Sequence, residues 1–433
     1  MLPIRALIFL QALVLFSAPV LDASGAPALQ HAKRRESRPH RESHASQQSL
    51  GPEQPAKLPF RVQPNDDTTR QGFEDFYNMD YDGAIVLFKQ ELTRFPNDPF
   101  VVNHLLAAVL AKELNREGQL DATLYMGDKF LELKAPPLDP QVKNQIDQLS
   151  QRGLSLANAE LAKNPKDADA LFARAVARGL ATVYSAVIEK RWLGAMREGL
   201  GAYHDDERVL RLNPNYADAK LVVGTFQYIV GSLTWWERTL VFVADMRGSK
   251  TKGLALLQQA VDGDGEESID ASTILALFLA RENRNGEALA LLGRDYAAFP
   301  HNFIFGLAVA DLLNAAGKHE DAIAAYRKLV ELGEQGFFPD ARVERAAYSL
   351  GLALRGEKDY PGAVQAFDQA IHYPHANPGI TAPAALQSGE VYDLLGQRNR
   401  AVELYQQARS IAPPASDTAR AAARFLQQPY RGA

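Results

Sequence analysis

The feature that most constrains this chain is a recurrence in its C-terminal third. NGEALALLGRDYAAFP (285–300), HEDAIAAYRKLVELG (319–333), YPGAVQAFDQAIHYP (360–374) and RAVELYQQARSIAP (400–413) share one skeleton. In each, a small residue (Ala288, Ala322, Ala363, Ala401) stands four positions before a large one (Leu292, Tyr326, Phe367, Tyr405), and three of the four end in proline. The alanines lie 34, 41 and 38 residues apart, with the extra length in the turn-rich stretches EQGFFPD and HANPGITAP. Each segment follows a second amphipathic stretch: ASTILALFLARENR, FGLAVADLLNAAGK, AAYSLGLALRGEKD and LQSGEVYDLLGQR. Apolar residues at i, i+3, i+4, closed by Gly, Asn or charged turns, predict a helix in both halves. The repeating unit is then an αα-hairpin whose helices approach at the small residues. The large residue fills the hole between neighbouring hairpins. No hairpin buries its apolar face alone, so the hairpins must stack.

An N-terminal copy, GFEDFYNMDYDGAIVLFKQELTRFPND, carries Gly72, Tyr81, Ala84, Phe88 and Pro96 in the same register. With the small residues of the first helices (Ala310, Gly351, Gly389) and the closing prolines Pro300 and Pro413, this pattern resembles the tetratricopeptide repeat (TPR) family. The resemblance implies an all-α, TPR-type hairpin solenoid coiled as a right-handed superhelix, and it is nearly silent on function. Between Pro96 and Leu254 the pattern loosens. VVNHLLAAVLAKELN pairs with LDATLYMGDKFLELK, Pro165 and Pro214 close further units, and the segment from Ala170 to Pro214 predicts two helices longer than the TPR norm. The expected organisation is a solenoid over 67–433. It comprises N-terminal repeats (67–135), irregular long-helix repeats (136–268), regular repeats (269–415) and a polar capping helix (416–428) with Ser416 or Asp417 as its N-cap.

One stretch of the irregular part stands out. KLVVGTFQYIVGSLTWWERTLVFVADMRG (220–248) has no charge from Leu221 to Trp236. The repeat register places Gly224 in a first helix and Gly253 in its partner, KTKGLALLQQAV, which arrives 17 residues late. The surplus predicts an extra helix at 233–249 inside one hairpin. A membrane span fails, because Glu237 and Arg238 interrupt the run and the uncharged stretch is short of the roughly 20 residues a span needs. The insertion reads either as a structural plug or splint of the stack, or as an aromatic binding surface made by Phe226, Tyr228, Trp235, Trp236 and Phe242. The layout PNYADA…G…Y…R…G…L over roughly 160–330 resembles exported bacterial TPR proteins, and more loosely the eukaryotic inclusion-body clearance TPR family. Neither likeness carries an enzymatic residue.

The chain begins MLPIRALIFLQALVLFSAPVLDASGA, with Arg5 before a short apolar run and small residues around Ala26. This predicts a secretory signal over 1–26, cleaved near Ala26 or else retained as an anchor, and hence an exported, periplasmic or envelope-associated protein. Residues 27–66, rich in Arg, Ser, Gln, Pro and His, predict a disordered linker. Its cluster Lys33, Arg34, Arg35, Arg38, Arg41 reads as a solvated tether or as a contact to anionic lipid or glycan at the envelope. The chain has no cysteine, which excludes disulfides, thiolate catalysis and zinc–thiolate sites.

Chemistry-bearing motifs are scarce. No phosphate-binding glycine loop, HExxH or GxSxG is present. DGDGEESID (262–270) invites a calcium reading, but counted from Asp262 it has Glu267 where an EF-hand needs Gly and Thr273 where it needs Glu. A solvated acidic loop is expected there. In YHDDE (203–207) consecutive residues point different ways on a helix, and in HYPH His372 and His375 lack an evident third ligand. No cofactor, metal site or nucleic-acid partner is expected, given a net charge of −5. The functional expectation is a non-enzymatic scaffold whose concave groove binds a protein or peptide through Asn103, His104, Tyr184, Gln227, Tyr228 and Tyr392 on the first helices. The alternatives are a carrier of lipid or another apolar molecule behind the Trp-Trp helix, and an accessory subunit of an envelope enzyme. The oligomeric state is left open.

Overall fold

The computed structural model describes residues 60–120, 139–233, 248–338, 341–374 and 376–432. Outside them lie Trp235, Trp236 and Phe242, His375, the 1–26 leader, residues 27–59 of the expected linker, and residues 121–134 of the stretch paired above with 101–115. The last part of the 27–66 stretch is not the disordered linker expected, because Phe60 and Val62 are buried and Phe60 packs on Phe73 and Tyr77. The described residues form seventeen α-helices and no strand. They are α1 (Asp67–Tyr77), α2 (Tyr81–Arg94), α3 (Pro99–Arg116), α4 (Pro140–Lys163), α5 (Ala168–Val183), α6 (Trp192–Leu212), α7 (Ala219–Ser232), α8 (Lys250–Val261) and α9 (Ser268–Arg281). After these come α10 (Asn285–Ala298), α11 (Phe303–Ala315), α12 (His319–Glu334), α13 (Val343–Gly356), α14 (Tyr360–His372), α15 (Pro378–Leu394), α16 (Arg398–Ile411) and α17 (Asp417–Gln427). A π-turn, Tyr184–Ile188, extends α5. Each helix packs on the next along the chain, so the architecture is a stack of hairpins.

Helix starts are written in the sequence. Asp66, Asp80, Asp98, Asp139, Asp167, Asn302, Asp359, Asn377 and Ser416 each accept a hydrogen bond from a first-turn backbone N–H. Hairpin cores follow the small-then-large rule. A methyl group on Gly351 would sit 2.5 Å from the Phe367 ring, and one on Gly72 2.5 Å from Phe88. The large residues Phe88, Leu292, Tyr326, Phe367 and Tyr405 are all buried. The 21-residue apolar segment Ala168–Ile188 has the length and composition to cross a membrane, yet 67% of its apolar window is buried inside the stack.

The late partner of α7 is α8, as the register implies, but the two meet differently from other hairpins. A Cβ on Gly253 would lie 2.7 Å from the Gly224 carbonyl oxygen, so the two backbones touch without side chains between them. One on Gly248 would lie 2.2 Å from the Gly231 nitrogen. Gly231 and Gly248, on either side of residues 234–247, therefore meet backbone to backbone.

The stack also closes on itself. The Arg61 N–H donates to the Asp264 carbonyl at 2.8 Å, and the Asn302 side chain donates to the Tyr77 carbonyl at 2.7 Å. Tyr77 lies 5.1 Å, ring to ring, from Phe299, and Arg342 donates to the Arg116 carbonyl at 3.1 Å. The first hairpin is thus docked on α9–α11, across about 200 residues of sequence. An open groove running the length of the array is not what forms: its N-terminal part is covered by the chain's own first repeat.

Candidate functional site

Closure leaves a cleft between α1–α3, α5–α7 and the start of α9. It has two small lobes, both open to solvent at their mouths. The larger is walled by Phe73, Phe76, Tyr77, Phe88, Phe100 and Phe172, with Asn103, His104, Glu266, Glu267 and Asp270 among them. The smaller adds Asp206, Asp218, Gly179 and Leu221, and it shares Phe172, Val176 and Glu267 with the first.

The acidic loop 262–270 is what brings the carboxylates in. Gly265 lies against Asp218 so closely that a Cβ there would overlap the carboxylate, and Asp218 accepts the Glu267 N–H at 3.0 Å. The loop glycines serve close approach to α7. The expectation of a wholly solvated loop holds for Asp264, which pairs with Arg61 on the surface, and fails for Glu266, Glu267 and Asp270. The reason is the returning first repeat, which covers them. Glu266 meets His104 Nε2 at 3.0 Å, and the Tyr77 hydroxyl donates to Asp270 at 2.7 Å.

YHDDE shows the divergence of consecutive helical residues. His204 and Glu207 face outward, Asp205 is held by Arg174 and Arg178 at 2.6 and 2.8 Å, and Asp206 turns inward. Asp206 is 0% exposed, and neither of its oxygens has a hydrogen-bond partner. No Lys or Arg lines either lobe. Burial raises Asp206 and Glu267 well above the carboxylate range, and their acidic neighbours add to it. Burial also lifts Asp218 and Asp270 to about 7, against the pull of the Glu267 N–H and the Tyr77 hydroxyl respectively. The cleft can therefore stabilise positive charge, or take up protons near neutrality when none is supplied.

The residues expected to face a groove are mostly consumed by packing. Asn103 donates to the Ala173 carbonyl at 2.8 Å, and Tyr184 accepts from Lys143 at 3.0 Å. Phe226 stacks on Tyr203 at 4.0 Å, Tyr228 on Phe278 at 3.8 Å, and Gln227 bonds the Tyr203 hydroxyl. All of these are buried, because a first helix is packed on both sides by its own partner and by the neighbouring hairpin, leaving only a narrow free stripe. Asn103 and His104 do line the cleft; Tyr184, Phe226, Gln227 and Tyr228 do not. Tyr392 stays partly exposed beneath Arg400, 5.5 Å from its ring, far along the chain from the cleft. His372 is paired with Asp368 at 3.0 Å. Asp206, Asp218, Glu267 and Asp270 form a group only through the fold. The one local signal is the glycine pair of DGDGE, which marks a loop that must lie tightly on something.

Hairpins stacked in chain order, with a small residue under each large one, settle the architecture. The fold is a TPR-type solenoid. No family profile and no curated protein sequence matches the chain. Solved structures that resemble it are TPR proteins. The Cut9 chain of the APC/C hetero-tetramer Cut9–Hcn1 shares 13% identity at a TM-score of 0.45, over 83% of this chain and 55% of that one. This chain thus spans about half of the Cut9 structure. YrrB, a TPR protein with an unusual peptide-binding site, shares 16% at 0.30, over 62% and 97%. The human IFIT1 dimer with PPP-AAAA shares 13% at 0.40, over 82% and 79%. At these identities the likeness is one of fold alone.

Proposed function

We propose that this chain is an exported, non-enzymatic TPR scaffold that binds a protein or peptide partner on its inner wall. The observation that carries the reading is the cleft: an aromatic wall with carboxylates and no cation of its own, opening inside a stack of hairpins. Such a surface suits a basic segment of a partner and repels polyanions. Charge, not fold, is the argument against nucleic acid, since a TPR neighbour is solved with PPP-AAAA. Export follows from the apolar leader, and the basic cluster at 33–41 suits contact with the envelope.

Cross-linking of the tagged full chain in its native cells, followed by mass spectrometry, should recover one protein partner whose cross-links map to α1–α3 or 262–270. Fractionation should place the chain outside the cytoplasm. Recovery of no partner, or cross-links confined to the outer helices, would sink the scaffold reading.

A further inference from the structure

Asp206 is the residue that core packing leaves unexplained. A buried carboxyl without a donor is costly, and hairpins of this kind do not require one. It lines the smaller lobe beside Asp218 and Glu267, next to the Phe172 ring and Val176. In the larger lobe the buried Nδ1 of His104 likewise has no partner. Among the described residues no three His, Asp or Glu side chains are placed to hold one metal ion. An alkylammonium group fits these conditions. It carries three N–H donors, its methylene stem is content along apolar walls, and its charge is drawn to aromatic faces.

We propose that the cleft binds a primary alkylammonium group, its charge beside Asp206, Asp218 and Glu267 and its aliphatic stem lying along Phe172 and Val176. The chemistry is common to a free diamine and to a lysine side chain presented by the partner proposed above; in the second case it rests on that reading.

Calorimetric titration of the full chain with 1,4-diaminobutane, with N-acetyl-lysine methylamide and with its uncharged analogue N-acetyl-norleucine methylamide tests this. At least one of the two amines should bind saturably below about 10 mM while the norleucine compound does not. Asp206→Asn and Glu267→Gln should each weaken that binding by about ten-fold or more with the circular dichroism unchanged. The preferred probe identifies the source as free amine or lysine side chain. If Asp206→Asn does not fold, Glu267→Gln decides alone. Absence of binding by both amines, equal binding of the norleucine compound, or unchanged affinity in the variants overturns the proposal. Partner capture is scored apart: a partner retained by a chain that binds neither amine removes the ammonium site and leaves the scaffold standing.

Discussion

The regular repeats from α10 to α16 and the half that encloses the cleft are built from the same hairpin, yet they treat interior charge in opposite ways. In the regular half, Asp393 accepts from the Tyr405 hydroxyl at 2.8 Å, from Arg398 at 3.0 Å and from the Tyr430 N–H at 2.8 Å. Glu390 pairs with Arg355 at 2.7 Å. Interior carboxylates there are answered by tyrosine and arginine from the same hairpin or the one before it. In the other half Arg174 and Arg178 are spent on Asp205, and Asp206, one residue on, receives nothing. A structural carboxylate brings its donor with it. One that lacks a donor, in the part of the stack that also departs from the repeat, is where the proposed ammonium site is placed.

That contrast can be tested by substitution, beginning where the largest effect is expected. Phe367→Ala empties the hole between regular hairpins and should cost about 3–5 kcal/mol in chemical unfolding. Phe172→Ala, on a wall already open to the cleft, should cost less than half as much; equal costs would mean that the cleft is packed like the rest. Gly253→Ala drives a methyl group into the backbone of α7 and should cost about 3 kcal/mol, seen as a lowered melting temperature.

Charge gives a smaller, directional effect. Asp218 and Asp270 titrate near 7 in the folded chain and near 4 when unfolded, so between these limits the folded state holds the extra protons. Stability should therefore fall as pH rises from about 4 to about 7, by roughly 2 kcal/mol or more in total, and the raised Asp206 and Glu267 carry the fall further. Melting curves at pH 5 and 8 should differ in that sense, and Asp270→Asn should flatten the difference. A chain equally stable at both values would show the cleft to be fully hydrated. Smallest of all, Tyr405→Phe removes one of three donors to Asp393 and should cost about 1 kcal/mol in urea unfolding.

Much of the fold was legible because its signals are local. Alanine and glycine beneath aromatic residues, Asp or Asn before eight of the first turns, and the late arrival of Gly253 can all be read within some forty residues. The pairing of α7 with α8 follows from that register. The cleft was not legible, because its parts come from α1–α3, α5–α7 and a loop at 262–270, and no period connects them. Face assignment failed for Tyr184 and Gln227 for a related reason: the position of a residue on a helix tells which neighbours it can reach, not how many arrive. His104 illustrates it, being sealed by Glu266 from 162 positions away.

The docking of Tyr77 on Phe299 and Asn302 bears on how the chain folds. A solenoid ordinarily gains its repeats one at a time, each stabilised by its nearest neighbour, and can lose them from either end. Here the first hairpin acquires its second neighbour only after α11 exists, so a long loop must close before the latch engages. Both ends of the ring are then tied into one cooperative unit. Truncation at about residue 295 should loosen the hairpin at 67–94 more than its distance along the chain suggests, and hydrogen exchange across α1 would register the release.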